Sequence, residues 1–125
     1  MSIEVIDESA ADIEVDALQK QAEFLLRELG IHPEAELCVL LLDEAAMTVE
    51  HMRWMDEPGP TDVLSFPMDE MRSRREEETP EPGMLGDIVI CPQVAQRQAI
   101  EAGHTTSDEL ALLLTHGLLH LLGHD

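Results

Sequence analysis

The stretch from Ser107 to Leu122, reading S-D-E-L-A-L-L-L-T-H-G-L-L-H-L-L, constrains this chain more than any other. Its apolar residues run nearly all the way round a helix, and such a helix is expected to be buried. Thr106 and Glu109 supply a T-x-x-E capping box at its start. Gly123 suits the residue that ends it and turns the chain. The rest of the chain must then provide a sheet and further helices to cover it. Two histidines, His116 and His120, interrupt the apolar run. They stand four apart, so on a helix both imidazoles project from one face, one turn apart. With the helix buried, both are expected at the centre of the protein.

Two nitrogens so spaced converge on one transition-metal ion, the arrangement that zinc hydrolases use in H-E-x-x-H. A lone His on an apolar helix is ordinarily a core residue. The i, i+4 pair, with Gly123 at the correct later offset, points instead to a metal. In the longer pattern H-x-x-x-H-x-x-G-x-x-H a third His follows the Gly by three. Here that is position 126, one beyond Asp125. On a continued helix His124 would lie about 12 Å along the axis from His116, too far to share an ion. After a turn at Gly123, His124 or Asp125 could fold back as a substitute ligand. Gly117 stands where zincins carry the Glu that acts as general base, so a peptidase would lack its proton acceptor. Metal-assisted hydrolysis with another group moving the proton remains open. Asp125 is a candidate for that group, or for orienting a His ring.

The chain is read as one domain over residues 1–125, large enough for a real core. Trp54, Phe24 and Phe66 are its only Trp, Tyr or Phe residues, so Leu, Val, Ile and Met must fill that core. The formal net charge is −20, from 27 acids against 7 Lys and Arg. Such a charge disfavours non-specific attraction to phosphate backbones and anionic membranes. No segment has the length of a membrane span, and the N-terminus lacks a basic start and an apolar signal core. A cytoplasmic location is expected, with no membrane partner and no DNA. Cys38 and Cys91 sit in apolar runs and read as buried free thiols.

In chain order, Ser2 to Ile6 alternates like a short strand, and Val15 to Leu29 carries a helical stripe stopped by Gly30 and Pro33. Ala35 to Leu42 is an apolar run of strand length, expected at the sheet centre with both faces covered. Asp43 can cap a helix from Glu44 to about Met55, with Met47, His51 and Trp54 on one side. Asp62 to Phe66 and Leu85 to Cys91 read as strands. Residues 67–83 form an acidic segment without apolar period, expected as a solvated loop. Pro92 suits the first turn of a helix running to about Ala102, with Gly103 as its stop. The expected fold class is α+β, about four strands packed with helices around a buried C-terminal helix. Strand order stays open. Thr61, Asp62 and Ser65, between turn and strand, read first as turn-closing residues and second as substrate contacts. Asp87 is open in the same way.

The block H-G-L-L-H-L-L-G-H-D (His116 to Asp125), preceded by P-T-D-V-L-S-F-P (Pro60 to Pro67) and L-G-D-I-V-I-C (Leu85 to Cys91), resembles the bacterial YbeY family. The family signature H-G-x-L-H-L-x-G-x-D-H is matched through Asp125, and the likeness spans the chain from about residue 35 in the style of actinobacterial members. The resemblance implies a single-strand-specific endoribonuclease that matures ribosomal RNA, notably the 3′ end of the small-subunit RNA, and serves ribosome quality control. It implies partners in ribosomal RNA and in the small ribosomal subunit and its proteins. It also implies one zinc ion per chain in a metzincin-like site held by three His, of which His116 and His120 carry over. Many members have a catalytic Arg after the aromatic residue of the second helix. The aligned residue here is Met55, and Arg53, the nearest candidate, points elsewhere on a helix. A basic groove for RNA would have to be built from Arg53, Arg72, Arg74, Arg75 and Arg97.

Two other functions remain. One is a non-catalytic ribosome-assembly factor with a structural metal, which the acidic surface suits because it favours basic protein partners over bare RNA. The other is a metal hydrolase of a different substrate.

Overall fold

A computed structural model describes residues 2–31, 34–68 and 84–123. The elements follow the order β1 (Ser2–Glu8), α1 (Val15–Glu28), β2 (Glu36–Leu42), α2 (Glu44–Met55), β3 (Val63–Pro67), β4 (Met84–Ile90), α3 (Pro92–Ala102) and α4 (Thr106–Leu121). This is the α+β order expected from the sequence. The acidic segment expected as a loop lies, from residue 69 to 83, outside the described residues.

The four strands make one mixed sheet in the order β1-β2-β4-β3. β1, β2 and β4 run parallel, and β3 closes one edge antiparallel to β4. β2 is therefore internal, as its apolar run requires. Leu37, Val39 and Leu41 point to one face and join Ile88, Ile90, the α1 residues Leu18, Ala22 and Leu26, and the α4 residues Leu110, Leu113, Leu114 and Leu118. Among the described residues no aromatic ring enters this cluster, which aliphatic side chains fill. The opposite face is covered less fully than expected. Leu42, Leu64, Val89 and Cys91 pack with Met47 of α2, while Cys38 and Leu40 are only half-buried.

The helix ends follow local chemistry. α1 stops at Gly30, whose φ of 67° is left-handed. Ile31 N then bonds Leu26 O and Gly30 N bonds Arg27 O, the paired bonds of a Schellman close. Asp43 caps α2 by accepting from Ala46 N at 2.8 Å. The cap of α4 falls one residue earlier than the expected Thr106–Glu109 box. Thr105 Oγ1 accepts from Asp108 N at 3.1 Å. Glu109 is thereby turned inward, buried, with its carboxylate accepting from His104 Nε2 at 2.6 Å. The shift moves one acid off the surface and gives it a fixed partner.

Glycine is required at position 86. Its φ is +143°, and a Cβ there would stand 2.3 Å from the carbonyl oxygen of Phe66. The register between β2 and β4 shifts at this point, between Glu36 and Leu37. A bulged strand that lets its neighbour's backbone approach so closely has no room for a side chain.

Candidate metal centre

α4 lies on β3 and β4 and meets α1 and α3 at its sides. Leu113, Leu114, Gly117 and Leu118 form its buried stripe. Gly117 makes the closest approach: a Cβ there would be 2.8 Å from Ile88 Cγ2 and 3.1 Å from Ser65 Oγ. The Ser65 hydroxyl donates to the Gly117 carbonyl oxygen at 3.1 Å, tying the edge strand to this turn of the helix. A helix can sit this deep on a sheet only where it carries no side chain. The residue that departs from the zincin pattern is thus a packing residue.

The seating of α4 decides where the histidines go. Successive residues are offset by about 100° around a helix, so His116 stands that far from Gly117, at the margin of the buried stripe. His116 and His120 are both exposed. The expectation that they occupy the centre of the protein is therefore wrong. α4 is not covered all round, and Leu112 is 45% exposed on the same open side.

Neither imidazole has a hydrogen-bond partner among the described residues, so both rings keep their nitrogens available. Two unengaged imidazoles one turn apart have the spacing and chemistry of two of the three or four ligands a zinc site needs. Among the described residues no group of three His, Cys, Asp or Glu side chains gathers about one point. α4 ends where Gly123 adopts φ 87° and its N–H bonds His120 O at 3.0 Å. That is the expected turn. His124 and Asp125 lie outside the described residues.

The other residues singled out by sequence fall as follows. Asp62 closes its turn: Oδ1 accepts from Val63 N at 2.7 Å and Oδ2 from Gln98 Nε2 at 3.2 Å. Thr61 donates to the same carboxylate and Ser65 to Gly117, so all three act on the fold. Arg53 is exposed in the last turn of α2, its guanidinium 5.5 Å from the centre of the Trp54 ring. Trp54 in turn meets Phe66 of β3 edge-on, with centroids 5.6 Å apart. Arg97 on α3 is engaged by Glu44, whose carboxylate raises its pKa. Arg72, Arg74 and Arg75, the rest of the expected basic groove, lie outside the described residues. Cys38 and Cys91 are free thiols, as expected. Burial pushes both thiol pKa values up, and at Cys38 Asp87 and Glu4 add to the shift. These two acids are its neighbours in register on β4 and β1.

Sequence reasoning missed one clamp. His51 uses Nδ1 on the carbonyl of Gly59 at 2.9 Å and Nε2 on Glu57 at 3.2 Å, holding the Pro58–Pro60 turn against α2. A His on the inner side of α2, shortly before a Pro-Gly-Pro turn, was the available signal.

Fold and site together define the class: an α+β domain whose last helix lays two histidines, one turn apart, along the margin of a mixed sheet. Comparison with known proteins narrows it. The endoribonuclease YbeY family profile matches residues 3–125. Endoribonuclease YbeY of Leifsonia xyli subsp. xyli is 59% identical over 125 residues, covering 100% of this chain and 82% of that protein. The Thermobifida fusca protein of the same name is 58% identical over 100% of this chain and 81% of its own. Among solved structures, the solution structure of TM1509 from Thermotoga maritima superposes with a TM-score of 0.66 at 26% identity, covering 98% of this chain and 73% of that one. The chain belongs to the YbeY family.

Proposed function

We propose that this chain is a zinc-dependent endoribonuclease, specific for single strands, that matures ribosomal RNA at the 3′ end of the small-subunit RNA and takes part in ribosome quality control. Relatives 58–59% identical bear the name endoribonuclease. The observation that carries the reading is the unengaged pair His116 and His120, presented at the surface by the Gly117 seat. On this reading the ribosome supplies the substrate and the partners, and the cytoplasm is the place of work. No helix among the described residues is long and apolar enough to cross a membrane.

His116 and His120 would hold the zinc, with His124 or Asp125 as the third ligand. A bound zinc supplies Lewis acidity and a more acidic water. The chain's own residues do the rest. Gly117 leaves no carboxylate beside the first His, so proton transfer falls to another group, and Asp125 is the proposed one. Arg53, exposed on α2, is the proposed contact for RNA phosphate. The helix holds the Cβ atoms of the two histidines one turn apart before any metal binds.

The net charge of −20 favours a second reading, a non-catalytic assembly factor that binds basic ribosomal proteins around a structural metal. Cleavage of unpaired RNA by the zinc-loaded chain, lost in His116→Ala with the zinc, supports the nuclease. Cleavage undiminished in His116→Ala overturns the site, and stoichiometric zinc with no cleavage selects the assembly factor.

A further inference from the structure

α2 carries apolar residues on both sides, and on its outward side they form a run. Inward it buries Met47 completely. Outward, Ala45, Val49, Met52 and Met55 follow one another at intervals of four, three and three, which is one stripe of a helix. Val49 is 61% exposed, Met52 46% and Met55 54%. The charged residues of α2 are Glu44, Glu50 and Arg53, and none interrupts the stripe. A solvated helix face normally carries the charges, so a continuous apolar stripe there marks an interaction surface. Methionine makes such a surface adaptable, because its unbranched thioether conforms to varied partners.

We propose that this outward stripe of α2 is a docking surface for a cationic amphipathic helix of a partner protein. Charge selects the occupant. Asp43 and Glu44 precede the stripe and Asp56 and Glu57 follow it, so acids stand at both ends. Arg97 lies nearby but is engaged by Glu44, and Arg53 lies over Trp54. A second copy of this chain would bring another −20 against the first, and RNA would bring phosphates to acids. A helix with one apolar and one Lys- or Arg-rich face matches both the stripe and its ends, the mode in which an amphipathic helix lays its apolar side on a hydrophobic surface.

The test titrates a synthetic Leu/Lys peptide of helical spacing into the purified chain and reads the fluorescence of Trp54, the single tryptophan. Val49→Gln with Met52→Gln removes the apolar stripe while keeping helix propensity and charge. Circular dichroism checks the fold, and Met52→Gln alone serves as the milder variant. Ile100→Gln, at an exposed apolar position on α3, is the control for diffuse attraction to an acidic protein. The expected result is at least about tenfold weaker binding in the double variant, binding equal to the parent's in the Ile100→Gln control, and no binding of a second peptide in which Glu replaces each Lys. RNA cleavage should be unchanged in the double variant, so failure of the nuclease reading leaves this titration standing. Equal peptide binding by the double variant overturns the proposal. So does a single-stranded RNA that competes for the stripe, or self-association in the ultracentrifuge that the double variant abolishes.

Discussion

The hydroxyl of Ser65 donates a 3.1 Å hydrogen bond to the carbonyl oxygen of Gly117, joining the edge strand β3 to the turn of α4 that lies between His116 and His120. Through this bond, and through the absence of a side chain at Gly117, the sheet sets the depth and rotation of the helix that bears the histidine pair. Most of the site's behaviour follows from this seat.

Gly117→Ala sets two effects against each other. Alanine favours the helix by up to about 1 kcal/mol. Its Cβ would stand 2.8 Å from the buried Ile88 Cγ2, and overpacking of this kind costs about 1–3 kcal/mol. We expect a net loss of about 1 kcal/mol in urea unfolding, with Ile88→Val recovering part of it. A stabilised Gly117→Ala protein would show that α4 is not pressed onto the sheet.

Gly86→Ala is the harsher change. A Cβ at φ +143° meets the backbone oxygen of Phe66 rather than a movable side chain. Strain in this region, added to the separation of β3 from β4, should lower stability by about 3 kcal/mol. A thermal midpoint equal to the parent's would sink the argument.

His116→Ala and His120→Ala should separate binding from folding. Both rings are exposed and make no hydrogen bond among the described residues, so each change should alter stability by less than about 0.5 kcal/mol without metal. Zinc retention through a desalting column should be lost in each. Large destabilisation of the metal-free variants would mean that the rings are structural.

The thiols should respond slowly to alkylation. Burial raises the pKa of both Cys38 and Cys91, so less thiolate is present at neutral pH than in a free cysteine, whose pKa is about 8.5. Iodoacetamide should modify both more slowly than the unfolded chain, and buried Cys91 more slowly than half-buried Cys38. Because the folded pKa lies above the unfolded one, the thiols' contribution to stability is fully present below the unfolded pKa. It is lost as pH rises through the higher folded values. Equal alkylation rates for folded and urea-unfolded protein would contradict the burial.

Much of the architecture was legible because it rests on local chemistry. β2 reads as an internal strand from E-L-C-V-L-L-L, and α2 begins after Asp43 and ends at Met55 as its cap and Pro-Gly-Pro turn dictate. Where two neighbouring residues offered the same chemistry, the sequence was ambiguous. Thr105 and Thr106 can both cap a helix; Thr105 does so, and Glu109 then turns inward to His104.

The spacing of His116 and His120, and hence the ability of their rings to share an ion, was determined by sequence alone, because helical geometry repeats within a turn. The direction of the pair was not. Apolar residues surround α4 on nearly every side, so its composition could not say which face meets the sheet. Only the tertiary structure decided that, by letting the one residue without a side chain, Gly117, make the closest approach to Ile88 and Ser65. The histidines were thereby left at the margin, facing outward.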